Sequence, residues 1–445
     1  MKIGIDVSQV IYGTGVSSYT KNLCQNLLKI DDKNEYILFG SALRGYPKLK
    51  DFAREFGHYP NVSFKFVPIP NIILEFLQNR LRLLPIEKFI GNVDIFHSSD
   101  WTQPKVKSDT TKKITTVHDM VPFLFEKSVH PKIVSAYKRR LNLVKKEVDL
   151  ILADSEATKE DLVKFMQIPQ DKVKVVYLAP GKNFKNESEE KVKEVMDTYK
   201  IKKPYLLSVA TQEPRKNIQK LLDAFEQIQK RIPELQLVLT GKYGWGPGLR
   251  SAENVVWTGY VPDDDLVALY SGCRVFVYPS LYEGFGLPVL EAMACGAPVV
   301  TSNNSSMAEI AKNAAILIDP RSHTQLTRAI EMILDLNLEN YQKMAQASLN
   351  RAREYTWEKT ARETLNAYNQ LYDQIPKIKA AESFVEDLDL NTPEPEEATT
   401  MSLPLEDAAK PEETIVPAID DKAVKTKSAD DMIEEDEKVP STRDS

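Results

Sequence analysis

The chain alternates between short continuous apolar runs and longer stretches in which apolar residues recur at helical spacing. Short apolar runs bounded by turn residues predict strands that are buried on both faces, and strands alternating with helices predict a parallel sheet. We therefore predict an α/β protein with doubly wound sheets. The predicted strands are residues 2–7, 36–39, 63–67, 95–97, 113–117, 150–153, 173–176, 205–209, 235–240, 255–259, 274–279 and 298–301.

The length of the chain indicates two domains, because 445 residues exceed what one hydrophobic core usually supports. The strand pattern predicts a first domain over residues 1–181 and a second over 182–375. The last helix is predicted at residues 356–373, with Thr356 as its N-cap residue. No apolar run is long enough to span a membrane, and Asp6 interrupts the first run too early for a signal peptide.

Charge is divided unevenly along the chain. The whole sequence carries a net charge of −6, but residues 382–445 hold 20 acids and 6 bases, a net charge of −14. The preceding residues 1–381 therefore carry a net charge of +8. From about residue 376 the periodicity is lost and Glu, Asp, Pro, Ala and Thr dominate, so we predict a disordered acidic tail over residues 376–445.

The stretch EGFGLPVLE at residues 283–291 is the strongest functional signal in the chain. It follows a predicted strand, and its proline suits the first turn of a helix, where a missing N–H group costs nothing. A helix that begins at the carboxyl end of a parallel strand points free N–H groups into the crevice where ligands bind. Gly284 and Gly286 allow a ligand to approach the backbone closely. Glu283 and Glu291 flank them, and carboxylates beside an anion-binding helix end suit hydroxyl groups next to phosphates, as in a nucleotide sugar.

A second signal is the segment TQEPRKN at residues 211–217, which lies between a predicted strand and a predicted helix at residues 219–229. Its Arg215 and Lys216 are adjacent cations beside a helix N-terminus. Arginine binds phosphate through two parallel hydrogen bonds and lysine acts as a compact charge, so the pair suits a diphosphate. The alternative interpretation is an ordinary surface charge pair.

Polar residues also follow strands of the first domain. The sequence GTG at residues 13–15 predicts a loop that approaches phosphate or sugar, or else a plain tight turn. Ser18 stands where a dinucleotide fingerprint has its third glycine, so NAD and FAD are not expected. His118 and Asp119 follow a strand at the end where ligands bind, although a lone histidine is more often structural. Asp100 follows another strand, and loop capping explains it equally well.

No metal or other cofactor is expected from the sequence. The three acids at residues 263–265 resemble a manganese-binding DxD pattern, but they follow a proline and open a helical run, so helix capping explains them better. The three cysteines, Cys24, Cys273 and Cys295, are too widely spaced for a metal pattern or a disulfide framework, which suits a reducing cytosol.

Two segments of the first domain are both apolar and basic. Residues 132–148 carry six bases and one acid, with apolar residues at helical spacing, and residues 76–90 have a similar composition. This pattern indicates a core-packing helix with a solvated charged face, or alternatively a patch that contacts anionic lipid headgroups. The segments lack interleaved aromatic residues and nucleic-acid motifs, so nucleic acid is not expected as a partner.

These motifs together resemble the family 4 glycosyltransferases, which have the two-domain GT-B fold and retain anomeric configuration. The resemblance covers residues 1 to about 373, and its specificity comes from the two glutamates of the 283–291 stretch combined with the RKN segment. Ala210 and Lys312 replace glycines that relatives often have, but neither is a charged site residue. The matching segments are GTGVSSYTKNL, TVHDMVPFLF, VATQEPRKN, GYVPDDDL, YPSLYEGFGLPVLEAMACGAPVV and SSMAEIAKNAAILIDP.

The resemblance implies two Rossmann-like domains that face each other across a cleft, with the acceptor entering from the first. It implies that Arg215 and Lys216 hold the donor diphosphate while the leaving group helps to deprotonate the acceptor. Glu283 and His118 would contact the donor sugar, which completes the expected catalytic set. The other implied contacts are Glu291 with ribose, Gly15 with phosphate, Gly284, Phe285, Gly286 and Leu287 with sugar and phosphate, Gly259, Tyr260 and Val261 with the base, and Asp100 and Asp119 with the acceptor.

Three functions are compatible with the sequence. A glycosyltransferase that moves a sugar from GDP-mannose or a UDP-sugar to a glycan or lipid-linked acceptor explains every motif. A nucleotide-sugar epimerase on the same fold would lack the combination of the RKN segment with the two glutamates. A phosphorylase would need a lysine that binds pyridoxal phosphate, and the sequence identifies none. A non-catalytic glycan-binding protein would keep buried charges without a ligand, which is costly. A lipid-linked acceptor predicts a cytoplasmic enzyme that is peripheral at the inner face of the membrane.

Overall fold

The structure of the protein, a computed structural model, describes residues 1–376 except 243, 245–248 and 250–252. The predicted acidic tail lies outside these residues from position 377 onward. Within the described part, the chain forms two parallel β-sheets connected and covered by helices. The predicted α/β class is therefore confirmed.

The strands follow one another through the chain in two groups. They are β1 Lys2–Asp6, β2 Glu35–Ser41, β3 Val62–Val67, β4 Ile95–Ser98, β5 Lys112–Val117, β6 Leu150–Ala153, β7 Val173–Val175, β8 Tyr205–Val209, β9 Gln236–Thr240, β10 Val255–Gly259, β11 Val275–Tyr278, β12 Val299–Ser302 and β13 Ile316–Ile318. The helices are α1 Gly15–Ile30, α2 Tyr46–Phe56, α3 Asn71–Glu75, α4 Glu87–Ile90, α5 Val121–Leu124, α6 Pro131–Glu147, α7 Glu156–Met166, α8 Glu189–Thr198, α9 Ile218–Gln229, α10 Asp263–Gly272, α11 Leu287–Ala294, α12 Ser305–Ile310, α13 His323–Leu334, α14 Leu338–Ala352 and α15 Trp357–Tyr372.

Both sheets are doubly wound. The first has the order β3-β2-β1-β4-β5-β6-β7 and the second has the order β10-β9-β8-β11-β12-β13, with parallel pairing throughout. The strand order reverses between β1 and β4 in the first sheet and between β8 and β11 in the second. Ligands of such sheets bind outside the carboxyl ends of the strands near this point, so each sheet contributes one binding edge.

The last helix connects the two halves of the structure. α15 begins after Thr356, whose side chain accepts a hydrogen bond from the Lys359 N–H group, and it packs along α1. One buried apolar cluster includes Leu27 of α1, Trp357 and Tyr368 of α15, and core residues of the second sheet. The helix therefore links the first sheet to the second through a shared core.

The strand and helix predictions differ from the structure at a few places. β6, β8 and β10 lie where they were predicted, but the short edge strand β13 was missed. The segment 76–90 is not one helix: a π-helical turn at Phe76–Arg80 continues α3, and α4 follows after an interruption. The basic segment is the helix α6, as its helical spacing indicated.

Candidate active site in the cleft between the sheets

The site lies where loops from the carboxyl ends of both sheets meet. The loop after β11 contains Gly284, and a Cβ atom there would lie 2.0 Å from the carbonyl oxygen of His118, which follows β5. Ser155 and Thr158, at the start of α7, donate hydrogen bonds of 2.6 and 3.2 Å to the Gly284 carbonyl oxygen. The close backbone approach therefore requires glycine at this position, and it brings the first sheet directly against the 283–291 loop.

Two cations and two carboxylates form the centre of the site. Arg215 and Lys216 lie in a short 3-10 turn just before α9, and each places a nitrogen 2.8 Å from Oε1 of Glu283. Glu213 is the second carboxylate: it is ion-paired with Arg215 and lies 4.0 Å from Lys216. Arg215 also donates to the carbonyl oxygen of Tyr282. The structure thus joins the RKN segment to the glycine-rich loop through charged contacts.

Glu283 is held in its ionised form. Burial alone would raise the pKa of its carboxyl group, but Lys216 and Arg215 outweigh burial and lower the pKa to about 2. Hydrogen bonds from Ser280 Oγ at 2.6 Å and from Tyr278 at 3.0 Å also reach Oε1. A carboxylate with this many donors is a fixed hydrogen-bond acceptor rather than a group that gains and loses a proton near neutral pH.

Glu291 lies in the second turn of α11, and the pKa of its carboxyl group is shifted in the opposite direction to that of Glu283. Burial raises the pKa of its carboxyl group to about 7, with Asp263 adding to the effect and the Tyr270 hydroxyl opposing it. That hydroxyl donates to Glu291 Oε2 at 3.1 Å. Gly286 is the N-cap residue of this helix, and its φ of +95° is a left-handed conformation that favours glycine; Pro288 lies in the first turn as predicted. Glu291 is therefore poised to change charge near neutral pH.

The first sheet supplies a histidine and acidic groups. His118 Nδ1 is 2.7 Å from Oδ2 of Asp154, which follows β6. Burial raises the pKa of the neighbouring Asp119 to about 6, with Asp100 adding to this and Arg215 and His118 opposing it. These groups border the cleft opposite the cation pair.

Asp100 is fixed by a buried arginine. Arg140 of α6 is only 1% exposed, and its guanidinium lies 3.3 Å from Asp100 and donates to Thr115 Oγ1 at 2.7 Å. The prediction that the six bases of residues 132–148 form one solvated charged face is therefore wrong for Arg140, because its side chain turns inward beneath the cleft. In addition, Lys138 is ion-paired with Glu126, and Arg139 lies 3.0 Å from Glu75.

The remaining predicted positions are spread along the cleft. Gly15 begins α1, and a Cβ atom there would meet nothing within 4 Å. Gly259 ends β10, and Tyr260 and Val261 follow it. In the sheet, β9 and β8 lie between β10 and β11. Tyr260 is 68% exposed and Val261 is buried. Phe285 is buried in the glycine loop, and Leu287 opens α11.

Two site residues were missed by sequence reasoning although signals for both were present. Glu213 lies within the TQEPRKN segment, two positions before the predicted arginine. Asp154 directly follows β6, the same position that His118 occupies after the neighbouring β5. Both were missed because their roles depend on the side chain that each one faces.

The described residues contain neither a membrane-spanning helix nor a metal-binding cluster. No helix in this part of the chain combines the length and apolarity needed to cross a membrane. No group of three or more His, Cys, Asp and Glu side chains in the same residues is placed to hold a metal ion. The acids Asp263, Asp264 and Asp265 occupy the first turn of α10, where negative charge stabilises a helix.

Comparisons with known proteins agree with the motif resemblance. The sequence model for "Glycosyl transferases group 1" matches residues 191–351, and that for "Glycosyltransferase Family 4" matches residues 13–179. The chain is 33% identical over 281 residues to the O-antigen chain mannosyltransferase B of Escherichia coli, an alignment covering 58% of this chain and 71% of that protein. It is 29% identical over 287 residues to the serotype-specific mannosyltransferase WbdA of Escherichia coli, covering 61% of this chain but 35% of that longer protein.

A solved structure shows the same fold. Anabaena HepE in complex with UDP and glucose matches with a TM-score of 0.59 at 16% sequence identity, covering 83% of this chain and 100% of that one. Likeness at this identity concerns the fold, whereas the relationship to mannosyltransferase B concerns the family. The chain belongs to the group 1 glycosyltransferases of the family 4 type, and it is a glycosyltransferase with the GT-B fold.

Proposed function

We propose that the protein transfers a hexose from a nucleoside-diphosphate sugar to a glycan or lipid-linked acceptor, with retention of configuration and without a metal ion. The observation that carries this proposal is the contact of Arg215 and Lys216 with Glu283 at 2.8 Å, beside the N-terminus of α11. This arrangement places phosphate-binding cations next to a hydroxyl-binding carboxylate, as a nucleotide sugar requires.

The donor diphosphate would bind the cation pair. Arg215 is buried and its ion pairs with Glu283 and Glu213 more than offset burial, so its pKa is raised and it stays charged. A diphosphate would share these cations with the two carboxylates, and the free N–H groups at the start of α11 would add hydrogen bonds. As the bond to the sugar breaks, the cations would stabilise the negative charge that develops on the leaving group. This account needs no metal ion.

The sugar and ribose would contact the two glutamates. Glu283 is ionised and fixed by its cations, so it suits a role as acceptor for sugar hydroxyls better than a role as nucleophile. Glu291 would accept from ribose hydroxyls, and residues 259–261 would lie along the base. Because one relative is named for mannose transfer and one neighbour was solved with UDP and glucose, we propose GDP-mannose or a UDP-sugar as the donor.

The acceptor would enter from the first domain, beside Asp100 and Asp119. Without an enzyme nucleophile, retention is explained by substitution on the same face of the sugar, with the leaving diphosphate taking the acceptor proton. His118 lies at this junction and would contact the donor sugar near the reacting carbon.

The test measures nucleoside diphosphate release by the full chain from a panel of UDP- and GDP-hexoses, with and without lipid-linked glycan acceptors. We expect acceptor-dependent release from one donor, unchanged by EDTA, and an α-linked product from an α-linked donor by NMR. Arg215→Ala should lose this activity. Arg231→Ala is the matched control, because Arg231 forms ion pairs with Glu331 and Asp335 at the surface of the same domain. Loss of activity in EDTA with recovery in manganese, or an inverted product, would contradict the corresponding part of the proposal.

We also propose that the first domain binds anionic membrane surfaces peripherally. Exposed apolar side chains cluster on and after α3, namely Ile72, Ile73, Phe76, Leu81 and Leu83. The Glu75–Arg139 contact places α6 beside them, so basic side chains border this apolar surface. Because Arg140 is buried and two other bases of α6 are ion-paired, apolar insertion should contribute more than charge.

Co-sedimentation with phosphatidylglycerol vesicles at low and high salt tests this proposal. Ile72→Glu combined with Phe76→Glu should abolish binding. Leu338→Glu is the control, because Leu338 is exposed on α14 of the second domain. If the unaltered protein stays in the supernatant at low salt, the proposal is wrong.

A further inference from the structure

The histidine in the cleft, His118, is held by a neighbouring carboxylate. β5 and β6 are paired so that Val117 lies opposite Ala153, and the next residues, His118 and Asp154, emerge side by side. His118 Nδ1 is 2.7 Å from Asp154 Oδ2. Asp154 is 2% exposed, and its other oxygen has no hydrogen-bond partner among the residues that the structure describes. The Asp154 carboxylate therefore interacts with His118 through a direct hydrogen bond.

A second contact fixes the plane of the imidazole ring. Tyr19 of α1 meets the ring edge-on, with centroids 4.6 Å apart and an interplanar angle of 74°. The Tyr19 hydroxyl is itself bonded to Thr116 Oγ1 at 2.8 Å. Within the described residues, Nε2 of His118 makes no hydrogen bond, and the His118 side chain is 13% exposed. Its free nitrogen is thus the part available to a ligand in the cleft.

Resting on the proposed function, we propose that Asp154 is a positioning residue for the transfer reaction. It keeps the Nδ1 proton of His118 in place and sets the ring so that Nε2–H donates a hydrogen bond to an oxygen of the donor. No proton leaves the ring in this role. His118 then acts as a fixed hydrogen-bond donor and positive charge, and it is not the base that accepts the proton of the attacking hydroxyl.

The charges around the ring agree with this assignment. Burial alone would lower the pKa of His118, but Asp154, Asp100 and Asp119 raise it to about 9. The other titratable groups near the ring are Tyr19 and His97, and burial lowers the pKa of His97 to about 3, so it is neutral. Near neutral pH the ring of His118 therefore carries a proton on each nitrogen. A histidine that acts as a general base must instead be neutral, with one nitrogen unprotonated.

Asp154→Asn is the decisive variant, since it keeps the shape and removes the charge. NMR titration of histidine-labelled full chain, with the His118 signal assigned by its loss in His118→Gln, should show the wild-type pKa near 9 and a variant pKa at least one unit lower. Turnover should fall about ten- to a hundredfold, as expected when a charged hydrogen bond is lost. The Kd for the nucleotide sugar should change less than the turnover. The alkaline limb of the kcat profile should move to lower pH with the histidine signal.

The control is Asp31→Asn, because Asp31 is also a buried, hydrogen-bonded carboxylate but lies at the C-terminal end of α1, before β2 and away from the cleft. Its replacement should lower the Tm without moving the His118 signal or the pH profile. If wild-type protein transfers sugar and Asp154→Asn leaves the His118 pKa and kcat unchanged, the positioning role is refuted while the proposed function stands. If wild-type protein neither binds nor uses any nucleotide sugar, the proposed function fails first.

Discussion

Glu291→Gln should remove a pH dependence from donor binding. Glu291 is the residue proposed to bind ribose, and burial in α11 raises the pKa of its carboxyl group to about 7. The ionised carboxylate accepts hydrogen bonds from hydroxyl groups more strongly than the protonated form does. Donor affinity should therefore rise as the pH rises through 7.

The magnitude follows from the fraction of Glu291 that is ionised. With a pKa of about 7, roughly nine tenths of the protein is ionised at pH 8 and roughly one tenth at pH 6. Donor affinity should then fall about tenfold between these pH values. The whole effect is bounded at roughly ten- to a hundredfold, because hydrogen bonds to charged groups contribute about 1.5–3 kcal/mol.

Isothermal titration calorimetry with UDP- and GDP-hexoses, in the absence of acceptor, measures this directly. Nucleotide sugars are preferable to nucleoside diphosphates because they carry no terminal phosphate that titrates in the same range. The Glu291→Gln protein should bind weakly at pH 8 and match the wild type at pH 5. Asp119, with a pKa of about 6, would weaken donor binding as it ionises. This second pH dependence of donor affinity is the same in the wild type and in the variant. The difference between the two proteins therefore isolates Glu291.

The pH dependence of stability is a second readout, and its sign is opposite to that of donor affinity. In the folded protein the pKa of Glu291 is raised from 4.5 to about 7, so folding favours its protonated form. The stability that the protonated carboxyl contributes is complete below pH 4.5 and is lost as the pH rises through 7. At 1.36 kcal/mol per pKa unit the loss is about 3 kcal/mol. Glutamine cannot ionise, so the variant should have a higher Tm than the wild type at pH 8 and a similar Tm at pH 5. Equal slopes of donor affinity and Tm in both proteins would refute the reasoning.

Three other changes have defined outcomes. Gly284→Ala should slow turnover and increase the radius of gyration in small-angle scattering, because the new Cβ would lie 2.0 Å from the His118 carbonyl oxygen; unchanged kinetics would contradict the close approach. Arg215→Ala should lower kcat more than it weakens donor binding, since the cation acts on charge that develops in the transition state, and equal losses would argue for simple binding. Arg140→Met should cost about 3–5 kcal/mol of unfolding free energy, because Asp100 loses its buried partner; denaturant titration showing under about 1 kcal/mol would exclude this pairing.

The sequence by itself determined the fold class and the identity of the charged motifs. The length of the continuous apolar runs identified strands such as β6 and β8, because a strand buried on both faces must be continuously apolar. The RKN segment and the 283–291 stretch could be recognised for a related reason: the phosphate binding that we propose for them, at a helix N-terminus, needs particular residues at fixed local spacing. Information of this kind is contained within a few neighbouring positions.

Only the tertiary structure decided which charges meet and how they are protonated. Arg215 and Glu283 are far apart in sequence, and β8 and β11 must pair before these side chains can touch. The same holds for His118 and Asp154, which become partners only through the register of β5 and β6. Burial and neighbouring charge then separate the two glutamates of one motif, with a pKa of about 2 for Glu283 and about 7 for Glu291. Sequence spacing cannot contain these differences, because desolvation and ion pairing depend on which groups surround a side chain in three dimensions.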